Sequence, residues 1–290
     1  MIEDQAFELR KRALDNFEKK NARTIAVFSG KGGVGKSSFA LNFAICLSSQ
    51  GKKVLILDLD IGMGNIDILL GMYPKHTLIS MLDDQLSIED IIEKGPNNLS
   101  YIAAGTGLSS FFHLDGNRYE YFLNQLENIT RQYDYILFDL GAGMSEEHMA
   151  FISAADECFV VTTTEPTSIT DAYAAIKHLV LETSDVKISL MVNRVSGIQE
   201  SLNVYERLNL AVQNFLSQEI RLLGSLPEDP IVIKAVKEQT PFYILERRAR
   251  VSKTMAKMTL DYLKANHDLS EDEKGQFIQK LKSLFIRKVD

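Results

Sequence analysis

The chain has 290 residues, 45% of them apolar, and its 32 basic and 39 acidic side chains leave a formal charge of -7. This suits one large α/β domain or two small ones, with a sizeable core. Two lone cysteines, Cys46 and Cys158, argue against a disulfide scaffold or a zinc site and for a reducing compartment. No apolar run is long enough to span a bilayer, and the net negative charge repels nucleic acid at long range without excluding a local basic patch.

Residues 1–22 are charged and lack the apolar stretch of a secretory leader, so a cytosolic protein is expected. Ala6, Leu9, Ala13 and Phe17 recur near helical spacing, which predicts a polar helix lying outside the pattern that follows. The body opens with the β-rich run TIAVFS, then a glycine loop, then the helix KSSFALNFAICLSSQ closed by Gly51. KVLILDLD is the next strand; its apolar residues do not alternate, as expected where helices cover both faces. LSYIAAG, YDYILFDLGAG, ECFVVTTTEP, VKISLMVNRV and IRLLGSLPED repeat the format, with helical stretches between them. Strands alternating with helices predict a mostly parallel sheet covered by helices on both faces.

The glycine loop carries the first chemistry. Gly30, Gly35, Lys36 and Ser37 match G-x-x-x-x-G-K-[ST] between a strand and a helix, the context of a phosphate-binding loop. Glycine lets backbone N–H groups curl around an anion, and the helix start adds more donors. Lys36 is expected on the β- and γ-phosphates of a nucleotide and Ser37 on Mg2+. Carboxylates are needed nearby, at the carboxyl ends of neighbouring strands. Asp58 and Asp60 end one strand and Asp139 another. Asp139 fits a magnesium ligand, directly or through water; Asp60 fits magnesium or the attacking water. The five histidines, His76, His113, His148, His178 and His267, fall in unrelated contexts and are read as surface or packing residues.

The loop also holds a second lysine. The run Gly30, Lys31, Gly32, Gly33, Val34, Gly35, Lys36, Ser37 and Ser38 resembles the deviant Walker A loop of the MinD/ParA ATPases, a P-loop NTPase family. The resemblance covers roughly residues 22–265. It implies an ATPase that uses ATP/ADP and Mg2+, with Lys31 crossing a homodimer interface to the partner's phosphates. Bringing two nucleotides together would cost less with a cation supplied in trans. DLDIGMGNIDILLG resembles the first switch, with Asp60 implicated in hydrolysis and Asn65 in the same loop. DLGAG, from Asp139, resembles the second, with Leu140 and Gly141 where the MinD branch often has serine and proline. Asn193, Arg194, Pro227, Glu228 and Asp229 resemble adenine-binding elements.

The segment DQAFELR resembles a motif of the flagellum-number branch of the family, known as FlhG, YlxH or FleN. By that resemblance Asp4, Gln5, Ala6, Leu9 and Arg10 contact the FlhF GTPase, and flagellar ring components of the FliM/FliY kind are further partners. The alternative settings are a MinD-like division-site regulator and a ParA-like DNA-partitioning ATPase. The latter needs a basic stripe, and ERRARVSK, from Glu246 to Lys253, is read instead as a solvated helix face, so DNA is not expected as a partner.

At the other end, Phe277, Ile278, Leu281, Leu284 and Phe285 form one apolar stripe beside Lys280, Lys282, Arg287 and Lys288. The pattern alone fits a helix docked on the body as well as one lying in an anionic membrane surface. The resemblance favours the membrane. The expected organisation is a partner-binding segment at 1–22, the ATPase at 23–265 and an amphipathic membrane-targeting helix at 266–290, in a cytoplasmic protein peripheral to the cell membrane when ATP-bound.

Overall fold

The computed structural model describes residues 21–60, 64–105, 116–143, 145–183, 186–266 and 276–286. The expected N-terminal helix, with Asp4, Gln5, Ala6, Leu9 and Arg10, falls outside these residues. Eight strands form one sheet: β1 (Arg23–Ser29), β2 (Val54–Leu59), β3 (Glu93–Lys94), β4 (Ser100–Ile102), β5 (Tyr135–Ala142), β6 (Glu157–Thr163), β7 (Ile188–Val195) and β8 (Arg221–Pro227). Their order across the sheet is β3-β4-β2-β5-β1-β6-β7-β8. Every pairing is parallel except β3 with β4. The two-residue β3 carries too few positions to show a strand pattern in the sequence.

Alternate residues of each strand face opposite layers. On one side Ile25, Val27, Ile56 and Phe159 pack under α1 (Lys36–Ser49), α8 (Pro230–Lys237), α9 (Phe242–Leu245) and α10 (Arg250–Ala265). Phe43 and Tyr262 meet there at 5.4 Å between ring centroids. On the other, Ala26, Phe28, Leu57, Phe138 and Val160 pack under α4 (Gly116–Thr130), α5 (Glu146–Ala154), α6 (Pro166–Glu182) and α7 (Ile198–Leu216). Two short helices, α2 (Ile66–Leu70) and α3 (Leu78–Asp84), follow β2. Because strand order reverses around β1, the loops leaving β1 and β5 diverge and open a cleft at their carboxyl ends.

The last helix, α11 (Phe277–Ile286), belongs to this second core. Phe277 stacks on Phe138 at 4.9 Å between centroids, Ile278 and Leu281 are buried, and Leu284 packs partly against them. Lys282 donates to Glu127 of α4 at 3.3 Å. The stripe therefore lies docked on the body in this structure; burying each large side chain stabilises by about 1.5–3 kcal/mol. The Phe285 side chain is outside the described residues.

Candidate nucleotide site

The glycine loop is tied down from outside. Asn193 Nδ2 donates to the Val34 carbonyl at 2.7 Å and Arg194 to the Gly33 carbonyl at 2.8 Å. Ser29 Oγ donates to the Lys31 carbonyl at 2.9 Å. These bonds occupy loop carbonyls and none takes a loop N–H, which keeps the donors for an anion. Gly35 has φ 90, and a Cβ there would strike the Asn193 amide. A Cβ on Gly30 would strike the Asp171 carbonyl of α6. Gly35 leads into α1 with no side-chain cap and no acid in the first turn, so the positive end of the helix dipole is left uncompensated. By contrast Asp229 caps α8, accepting from Ile231 at 3.1 Å, and pins α10 by accepting from Val251 at 3.2 Å. Glu228 donates its N–H to Val195 at 3.1 Å. Asn193 and Arg194 thus border the loop, and the Pro227–Asp229 turn is joined to the end of β7 at Val195.

The charges converge where the strands end. Lys36, 6% exposed, places Nζ 2.6 Å from Asp139 Oδ1, 3.8 Å from Asp60 Oδ2 and 3.2 Å from Ser37 Oγ. Asp139 is fully buried, and its Oδ2 has no hydrogen-bond partner among the described residues. Asp58 is its neighbour in register on β2. Buried and beside Asp139, the Asp58 carboxyl is pushed up to about 7. It accepts the N–H groups of Asp60 at 3.0 Å, Asn65 at 2.7 Å and Ile66 at 3.0 Å. Asp58 therefore organises the loop after β2, whereas Asp60 faces the lysine. Burial raises the Asp60 pKa, Lys36 opposes that shift, and Asp139 reinforces it.

Lys31 points elsewhere. Its Nζ lies 3.3 Å from Glu165 and 3.1 Å from Thr167 Oγ1, on the exposed start of α6. Nothing in the local sequence marks Glu165 as its companion; 134 residues separate the two. His148 is buried, with Nε2 3.3 Å from the Leu59 carbonyl. Cys46 and Cys158 are buried and apart, and burial pushes both thiols up, Cys46 to about 12.

A buried carboxylate oxygen without a partner, beside a lysine and the Ser37 hydroxyl, is the donor set a hard cation takes. The residues fit Mg2+ on Ser37 and Asp139, with a phosphate chain over the loop. A parallel sheet whose first strand feeds such a loop, with carboxylates ending the adjacent strands, defines a P-loop nucleoside triphosphatase. The chain belongs to the ParA family, described as NUBPL iron-transfer P-loop NTPase, whose model matches residues 20–262. It is an ATPase of the MinD/ParA kind.

It is 34% identical over 230 residues to the antiactivator FleN of Pseudomonas aeruginosa, covering 79% of this chain and 82% of that one. It is 33% identical to the flagellum site-determining protein YlxH of Helicobacter pylori over 76% of this chain and 75% of that one. The septum site-determining protein MinD of Synechocystis is 32% identical over 78% and 83%. Among solved structures, MinD of Pyrococcus horikoshii complexed with Mg-ADP superposes with a TM-score of 0.67 at 25% identity, covering 84% of this chain and 97% of that one.

One expectation fails. The same fold recurs in a ParA-family ATPase of Chlorobium tepidum (TM-score 0.67) and a putative plasmid partition protein of Borrelia burgdorferi (0.63). Setting DNA aside as a partner therefore does not stand. Net charge governs the far field, not a local patch, and Arg247, Arg248, Arg250 and Lys253 are all exposed here. No described helix is long and apolar enough to cross a membrane.

Proposed function

We propose that this chain is an ATP-driven switch that dimerises around its nucleotide, with hydrolysis timing the dimer's lifetime. The observation that carries the reading is the divergence of two lysines on one loop. Lys36 is buried among its own carboxylates, whereas Lys31 reaches the surface, where its exposed pair with Glu165 can be exchanged for a second copy. Gly30 to Ser38 cradle the phosphates of ATP or ADP, Ser37 and Asp139 hold Mg2+, and Asn193, Arg194 and Pro227–Asp229 border the base. Bound Mg2+ would neutralise charge on the phosphate oxygens. Lys36 does the same from the protein side, and Asp60 orients the attacking water. Light scattering after gel filtration tests this. With ATP, Asp60→Ala is expected to run as a dimer, and adding Lys31→Ala to restore the monomer. An ATP-loaded Asp60→Ala protein of monomer mass overturns the reading.

Two cellular settings fit the switch. The MinD-like setting has the broader support, from MinD relatives and from solved MinD structures covering 84% of the chain. The flagellar setting is supported by the FleN and YlxH relatives and by the DQAFELR segment, which in that setting stimulates FlhF. Deleting residues 1–22 separates them: lost stimulation of FlhF GTP hydrolysis favours the flagellar setting, and no stimulation by either protein removes it. In both settings the docked α11 is the expected membrane contact of the ATP dimer in a cytoplasmic protein. Sedimentation with anionic liposomes in ADP and in ATP checks it, and equal binding in both defeats a nucleotide-controlled tail.

A further inference from the structure

Asp60 is held by its backbone as well as by Lys36. The peptide group joining Leu59 to Asp60 is gripped at both ends. Its N–H donates to Asp58 Oδ1 at 3.0 Å. Its carbonyl lies 3.3 Å from Nε2 of His148. A carbonyl only accepts, so Nε2 carries the proton. Two opposed bonds fix the plane of that peptide, and with it the direction in which the next side chain leaves.

His148 is well placed for this. It is 4% exposed and sits in the first turn of α5, where its N–H donates to the Ser145 cap at 3.3 Å. That turn comes shortly after the end of β5 at Ala142. The ring then reaches back across the sheet end to β2. Gly141 gives an independent measure of how closely the groups gather. A Cβ there would lie 2.9 Å from His148 Cε1 and 3.0 Å from Asp60 Oδ1. Imidazole and carboxylate close on one point of β5 that only glycine leaves open.

We propose that His148 is a positioning residue for hydrolysis: it locks the Leu59–Asp60 peptide and couples the loop after β5 to the loop after β2. It acts through the Leu59 carbonyl and touches neither nucleotide nor metal. A displacement of α5 would carry His148 with it and turn the Asp60 carboxylate. Small errors of placement at a reacting group are costly in rate. The inference rests on the hydrolytic role of Asp60 proposed above.

Steady-state ATP hydrolysis by the full chain tests it, with His148→Leu, His148→Gln, Gly141→Ala and Asp60→Ala compared. Gln offers an amide N–H near the position of Nε2; Leu fills the volume without a donor. His148→Leu is expected to lose about tenfold or more in kcat with KM within about twofold, and Gln to recover to within about threefold of the parent. Wild-type kcat in His148→Leu, or Gln falling as far as Leu, overturns the inference while an inactive Asp60→Ala leaves the ATPase reading intact. Wild-type turnover in Asp60→Ala overturns the Asp60 role itself. If His148→Leu fails to fold, Gly141→Ala decides: lowered kcat at unchanged KM is expected, and an unchanged kcat overturns the proposal.

Discussion

One sheet carries a buried ionic cluster at each end of its strands, and the two are finished differently. At the amino ends, Arg23 meets Glu157 at 2.8 Å, and Ser189 and Tyr262 donate to the remaining lone pairs of Glu157 at 2.8 and 3.0 Å. Both Glu157 oxygens are satisfied. At the carboxyl ends, Lys36 bridges Asp139 and Asp60, Asp139 Oδ2 has no described partner, and Asp58 is pushed up beside it. The amino end satisfies both carboxylate oxygens, leaves only Arg23 Nε without a described partner, and holds α10 to the sheet through Tyr262. The other keeps an acceptor and a raised carboxyl in reserve, which is the arrangement a ligand completes.

Four measurements press on that contrast. Glu157→Gln leaves the Arg23 guanidinium buried without a counter-charge, and a loss of about 3–5 kcal/mol is expected, read from urea unfolding, with nucleotide affinity retained in the folded fraction. Asp139→Asn is expected to behave in the opposite sense. Asp60 still faces Lys36, so the stability loss is smaller, while Mg2+-dependent kcat falls by about a hundredfold or more. A titration of activity against Mg2+ checks it, and equal stability losses in the two variants would erase the distinction between the ends.

Asp58 gives a pH signature. Its folded pKa, about 7, lies above the ordinary aspartate value of about 4, so between those values the folded chain holds a proton the unfolded chain has released. Its contribution is therefore full below the unfolded pKa and is lost as pH rises toward 7, with a slope of up to about 1.4 kcal/mol per pH unit. Urea unfolding in chelator from pH 4 to 8 should show this decline in the parent, and Asp58→Asn should remove it. The smallest effect is at Glu165. Its pair with Lys31 is solvent-exposed, with side chains 42% and 60% accessible, so releasing Lys31 by Glu165→Gln is worth about 1 kcal/mol at most. The ATP dimer should form at a somewhat lower protein concentration, by sedimentation equilibrium, and a weakened dimer would mean Glu165 helps the partner instead.

The strands and the phosphate loop were legible because their signals are local: unbroken apolar runs and a fixed spacing of glycines and lysine. The loop's supports were legible only in part. Asn193 and Arg194 stood out by resemblance, yet their bonds to the Val34 and Gly33 carbonyls depend on β7 ending beside the loop, which is topology. Glu165, Glu157 and His148 each meet partners dozens of residues away, and no window of sequence contains both halves. The tail pattern fitted water–lipid and water–protein boundaries alike, since a stripe of Phe277, Ile278 and Leu281 records only that one face avoids water. The DNA expectation failed because an exposed basic run such as Arg247 to Lys253 reads the same in sequence whether it faces water or a phosphate backbone.

Phe277 rests on Phe138, the residue before Asp139, and on Phe151 of the helix that bears His148. A shortened chain ending before Phe277 would strip the backing from both catalytic loops at once. Turnover measured on such a truncation would describe an enzyme with a slackened rear wall, and the intact tail is part of the reference state against which any regulator should be assayed.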